Sequence, residues 1–162
     1  MLTIAEKIVE LSDLIKIRDL YRQQHKKVVF TNGCFDIIHA GHALYLQEAK
    51  TYGDVLILGL NSDSSIKRLK GDSRPINNQD DRAIVLASMA AIDYIVIFNE
   101  DTPYDLIKSL NPDVLVKGGD WTTDQIVGSD IVLNNNGKVF SLSFLEGKST
   151  TNIIKKVKAN HE

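Results

Sequence analysis

Short apolar runs alternate with segments of helical spacing along most of this chain, and that alternation limits the fold more than any other feature. Val28-Val29-Phe30 reads as a buried strand, Ala43 to Tyr52 as a helix, and Val55-Leu56-Ile57-Leu58 as a second strand. A strand, helix, strand succession returns the chain to the edge it left, so the two strands lie parallel. The pattern continues with a helix over 82–91, a strand over 94–98, a helix over 103–110 and a strand over 114–116. A last strand spans 139–144 and a last helix 150–158. Pro103 suits a first helical turn, where its missing N–H costs little. Ahead of the first strand, Ile4, Ile8, Leu11, Ile15 and Leu20 recur at roughly helical spacing and predict one opening helix, up to His25-Lys26-Lys27. The expected architecture is a doubly wound, Rossmann-like α/β fold: a parallel sheet of about five strands, helices on both faces, and an N-terminal helix in front.

With 162 residues, the chain fits one domain, residues 1–26 forming a helical extension and 27–162 the core. No apolar run approaches the ~18 residues of a membrane span. The opening MLTIAEKIVELSDLIK mixes acids and bases through its apolar positions, unlike a secretion signal. One cysteine, Cys34, cannot form an internal disulfide, in keeping with a reducing compartment, and the cytoplasm is expected. A net charge of −2 gives no reason to expect nucleic acid or a membrane surface as partner.

The stretch from Thr31 to His42 stands where chemistry belongs in such a fold, beyond the carboxyl end of the first strand. Gly33 is expected to take dihedrals that a Cβ would resist and to let backbone N–H groups approach a ligand. The helix that follows presents unpaired N–H groups and a positive dipole end, which suit phosphate. His39 and His42, three apart, share one face of its first turn, with Gly41 keeping bulk away. Two imidazoles there can donate to phosphate oxygens as charge builds up on a leaving group. A zinc site would need a third protein ligand, and the one cysteine lies in a tight turn, where a small thiol more often packs. Neither G-x-x-x-x-G-K-[ST] nor G-x-G-x-x-G is present, so this is not an ordinary phosphate loop.

Thr31-Asn32-Gly33-Cys34-Phe35-Asp36 followed by His39-Ala40-Gly41-His42 resembles the signature of the nucleotidyltransferases with the H-x-G-H motif. Lys117-Gly118-Gly119-Asp120-Trp121 and Glu146-Gly147-Lys148-Ser149-Thr150-Thr151 resemble two further nucleotide-contacting stretches of the cytidylyltransferase-like branch. Within it, Lys70-Gly71-Asp72-Ser73-Arg74-Pro75-Ile76-Asn77, Ile126-Val127-Gly128 and the leading helix look most like the adenylyltransferases of the ADP-heptose pathway. That resemblance implies transfer of AMP from ATP to D-glycero-β-D-manno-heptose 1-phosphate, with Mg²⁺ accompanying the triphosphate. It also implies dimers or larger assemblies. In many bacteria the activity is half of a fusion with a sugar kinase, and this chain is read as the form without it. The alternative is a cytidylyltransferase acting on glycerol 3-phosphate or a similar small ester, against which stands Phe144-Leu145 where those enzymes carry Arg-Thr.

By similarity, His39 and His42 contact the triphosphate, and backbone N–H groups near Gly33, Cys34 and Phe35 hold its oxygens. Lys50, two turns beyond His42, either brings charge back to the phosphates or is solvated. Arg82 either contacts phosphate or pairs with Asp80 or Asp81. Lys117, Gly118 and Gly119 let adenine or ribose lie against the main chain, with Asp120 as an acceptor. Trp121 either stacks on a ring or covers the core. Ser149, Thr150 and Thr151 either cap their helix or turn to phosphate, with Gly147 before them. Arg74 is the candidate for the sugar phosphate, its alternative an exposed loop arginine. Asp36 is a candidate for substrate or Mg²⁺, or caps the helix; no set of protein metal ligands stands out.

Overall fold

The computed structural model describes residues 2–143 and 149–159. Among them are five parallel strands, β1 (Val28–Gly33), β2 (Val55–Asn61), β3 (Tyr94–Phe98), β4 (Val114–Gly118) and β5 (Lys138–Leu142). They lie in the order β3-β2-β1-β4-β5. The helices are α1 (Ile4–Lys7), α2 (Leu11–Gln23), α3 (Ala40–Lys50), α4 (Asp63–Lys70), α5 (Gln79–Ala87), α6 (Tyr104–Leu110), α7 (Ser129–Asn134) and α8 (Thr150–Ala159).

Strand side chains alternate between the two faces, and the core divides accordingly. Val29, Leu56, Leu58 and Val116 point to one face, where Leu46 and Ala49 of α3 and Leu86 of α5 cover them. Val28, Phe30, Ile57 and Leu115 point to the other, against Leu14 of α2, Ile107 and Leu110 of α6, and Val132 of α7. Both faces of the central strands are therefore apolar, which is why these strands read as unbroken apolar runs. The connection after β1 runs over the first face and the one leading into β4 over the second, so a crevice opens between β1 and β4 at their carboxyl ends.

Aspartates fix the opposite, amino end of the sheet. Asp113 accepts from Val28 N at 2.7 Å and from buried Arg18 of α2 at 3.0 Å. Asp93 accepts from Leu56 N at 2.7 Å, and Asp54 from Lys27 N at 2.7 Å. Each carboxylate satisfies a strand-end N–H that the ladder leaves over.

The expected opening helix is divided. Thr3 and Glu6 form a capping box for α1, but Ile8 is extended and bridges Ile95, with Val9 N donating to Ile95 O at 3.0 Å. A β-branched pair next to the outer edge of β3 gains more from covering that edge than from continuing a helix. α4 and α7 occupy stretches that the sequence pattern leaves as loops. The strand expected over 139–144 is described only to Leu142, and its last residue lies outside the described residues.

Gly59 is in the middle of β2, where a Cβ would sit 2.8 Å from Phe30 Cζ and 3.1 Å from Leu106 Cδ2. Gly59→Ala should therefore overpack the core and cost about 1–3 kcal/mol in chemical denaturation. In the pair with Phe30→Leu, the two losses should add to less than their sum.

Candidate active site

The loop leaving β1 forms the floor of the crevice. Gly33 is required there for close approach: a Cβ would lie 2.8 Å from Phe35 Cε2. The left-handed backbone expected at Gly33 falls instead on Phe35, at φ 43°. A phenylalanine in that region is uncommon, and the surrounding contacts hold it. The Cys34 carbonyl accepts from Arg82 Nη1 at 2.6 Å, and the Phe35 ring lies 5.1 Å from that of His42. Asp36, 3% exposed, accepts from Ile76 N, Asn77 N and Arg74 Nε at 2.6–2.9 Å, so the 70–77 loop wraps around it. Burial works to raise the Asp36 carboxyl, but these donors outweigh it and hold the group below the usual aspartate range.

His39 is the N-cap of α3, its carbonyl accepting from His42 N at 2.9 Å. The two imidazoles stack, centroids 3.8 Å apart and planes 18° from parallel. Burial first, then His39 and Lys70, push the His42 pKa down to about 4, so its ring is neutral at pH 7. His42 Nδ1 is enclosed with no hydrogen-bond partner among the described residues, which leaves Nε2 as the atom for a ligand.

The crevice has two lobes that share Asn32, Gly33, Cys34 and Lys117. The first, about 620 Å³, takes in the β1 loop, His42, Lys70 at the end of α4, and Thr150 at the start of α8. The second, about 780 Å³, is bounded by Asn61, Leu69, Pro103, Trp121 and Val127. Lys117 Nζ donates to Asn32 Oδ1 at 3.2 Å, which turns the Asn32 amide nitrogen toward open space. Burial pulls the Lys117 ammonium below the ordinary lysine range, against the opposing pull of Cys34. A bound anion would shift the group back upward.

Several residues expected at the site have other partners. The Thr31 side chain is fully buried and meets Tyr45 Oη at 2.6 Å; Tyr45 donates to Val116 O, so the Thr31 hydroxyl is the donor of the pair. Lys50 lies about 12 Å along α3 from His42. It pairs with Asp93 and donates to Asp54 O at the amino end of the sheet, so its charge stays with the strand starts. Arg82, 2% exposed, is engaged by Cys34 O, Asn77 O and Asp63, and neither Asp80 nor Asp81 is its partner. Arg74 pairs with Asp36 at 2.6 Å, which makes Asp36 its anchor rather than an open ligand. Gly119 N donates to Leu142 O, and Ser143 Oγ to Asp120 Oδ1, at the β4–β5 junction. Trp121 is 49% exposed, its Nε1 on Gly118 O at 3.1 Å, and borders the second lobe instead of covering the core. Ser149 Oγ caps α8 at Asn152 N, Thr150 Oγ1 reaches Ile37 O at 3.4 Å, and Thr151 is exposed. Gly147, with Phe144-Leu145, lies outside the described residues.

Lys70, Tyr45 and Asn61 enter the crevice without having been singled out. Tyr45 stands three residues after His42 on the same helix face, a spacing that signals it. Lys70 depends on α4, whose polar sequence hides it, and Asn61 on the end of β2 beyond its apolar run.

A family model described as cytidylyltransferase-like matches residues 30–156. A bifunctional protein HldE of Aliarcobacter butzleri is 61% identical over 137 residues, 85% of this chain and 28% of that protein. One of Wolinella succinogenes is 53% identical over 155 residues, 96% of this chain and 32% of the relative. The chain thus spans about a third of the length of such relatives. Among solved structures, a lipopolysaccharide core biosynthesis protein of Thermoplasma volcanium superposes with TM-score 0.59 at 23% identity, covering 76% of this chain and 99% of that one. A pantoate-beta-alanine ligase of Francisella tularensis gives 0.61 at 16%, covering 96% and 78%. At these identities the structures show the shared fold alone.

Between pH 6.5 and about 4 the unfolded chain takes up a proton at residue 42 that the folded chain refuses. Stability should fall as pH is lowered through that window and be insensitive to this group above it. An NMR titration of the His42 ring in the nucleotide-free protein should show a midpoint near 4, and His42→Gln should flatten this part of the stability profile.

Proposed function

The chain belongs to the cytidylyltransferase-like family and is a nucleotidyltransferase, and on that premise we propose that it transfers AMP from ATP to D-glycero-β-D-manno-heptose 1-phosphate, giving ADP-heptose and pyrophosphate. The observation that carries this reading is the stacked pair His39 and His42 at the start of α3, of which His42 lines the first lobe together with Lys117 and Thr150.

In the proposed reaction an oxygen of the sugar phosphate attacks the α-phosphorus of ATP in line, the bond to the bridging oxygen breaks, and pyrophosphate leaves. No protein nucleophile is needed, so alignment and charge stabilisation supply the catalysis. His42 donates from Nε2 as a neutral imidazole, His39 stacks beside it, and the backbone N–H groups of Gly33 to Phe35 approach the phosphate oxygens. Lys117 and Lys70 add positive charge from the two sides. Among the described residues no group of three or more His, Cys, Asp or Glu side chains converges as a metal site, and Asp36 is committed to Arg74 and two backbone donors. Mg²⁺ is accordingly proposed to enter with ATP, as part of the substrate. No helix among the described residues is long and apolar enough to cross a membrane.

Incubation with ATP, Mg²⁺ and the heptose phosphate should release pyrophosphate and yield ADP-heptose by mass, with ATP preferred over CTP. His42→Ala should lower kcat about 10²-fold or more, whereas Lys50→Met should leave it within about threefold. Folded protein that makes neither product, or that prefers CTP with glycerol 3-phosphate, would reject the assignment.

A further inference from the structure

The second lobe holds a polar atom that the roles above leave unused. Asn61 is the last residue of β2, 4% exposed, and lines that lobe. Its amide is not free to turn. Ser65 Oγ donates to Glu100 O at 2.9 Å, and because a carbonyl only accepts, the serine proton is committed there. Asn61 Nδ2 must then be the donor to Ser65 Oγ, at 3.1 Å. Asn61 Oδ1 consequently faces away from Ser65 and accepts no hydrogen bond among the described residues. It is not enclosed by protein either, since the fully enclosed polar atoms lacking a partner do not include it.

A rigid, water-poor acceptor at the wall of a ligand cleft favours a ligand that brings a donor. Thr102 and Gln125 add further hydroxyl-reading groups to this lobe, and the half-exposed Trp121 with Leu69, Pro103 and Val127 forms an apolar wall opposite them. An apolar wall opposite a few polar groups can take the carbon face of a sugar while its hydroxyls meet Asn61, Thr102 and Gln125.

We infer that Asn61 is a specificity-determining residue whose Oδ1 accepts a hydrogen bond from a hydroxyl of the acceptor sugar in the second lobe, while the triphosphate occupies the first. This rests on the function proposed above. Ser65 acts through Asn61, as a positioning residue that fixes the amide.

The test is steady-state kinetics of wild type, Asn61→Leu and Ser65→Ala, with the heptose phosphate and its complete set of monodeoxy analogues. Asn61→Leu should raise KM for the sugar phosphate about tenfold or more while KM for ATP stays within about twofold. Ser65→Ala should shift the same constant in the same direction by less. One analogue should be used poorly by wild type yet no worse than the parent sugar by Asn61→Leu. If Asn61→Leu fails to fold, Ser65→Ala and the analogue series on wild type decide. An active wild type whose variants change KM for ATP instead, or change neither constant, overturns the role of Asn61 alone, as does a series in which no analogue is discriminated. An inactive wild type overturns the function and this assignment together.

Discussion

A guanidinium almost without water holds the crevice end of this molecule together. Arg82 reaches from α5 to the Cys34 carbonyl, the Asn77 carbonyl and the Asp63 carboxylate, joining the loop after β1 to the start of α4 and the approach to α5. The guanidinium is buried while Asp63 is partly exposed, and the two carbonyls supply the acceptors on the side away from water. With Cys34 fixed, Phe35 is kept in its left-handed conformation and its ring against His42. The position of His42 therefore rests on contacts made within the protein.

The two ends of the sheet divide the work. At the amino end, Asp54, Asp93 and Asp113 complete the hydrogen bonding of strand starts and draw in Lys50 and Arg18, so charge there is neutralised internally. At the carboxyl end, Lys117, Lys70, His42 and Asn32 border open space with polar capacity to spare. Reversal of the strand order at β1 and β4 parts the covering helices at that point, and this is why the crevice forms there. Its two lobes meet at Asn32 to Cys34 and Lys117.

Much of this was legible in the sequence. Strands buried on both faces are continuous apolar runs, and the histidine pair after β1 marks the crevice. What escaped had physical reasons. α4, Asp63–Lys70, is held by its Ser62 cap and by Ser65, Ile66 and Arg68 contacts, with too few apolar positions to show a helical stripe. Lys50 and Arg82 were read by their place in a motif, but a charge goes to the partner the fold brings nearest: Asp93 for one, Asp63 and two carbonyls for the other. Thr31 stands inside the motif as a core residue, because alternation along β1 turns its side chain inward. The sequence suggests dihedral freedom as the reason for Gly33, whereas the neighbouring Phe35 ring makes it a matter of space.

A crystal structure with a non-hydrolysable ATP analogue and Mg²⁺ tests the account most directly. The triphosphate should lie in the first lobe, within hydrogen-bonding distance of His42 Nε2 and of a backbone N–H between Gly33 and Phe35, with Arg82 still on the Cys34 carbonyl. A triphosphate bound outside that lobe, with both imidazoles turned from it, would contradict the account.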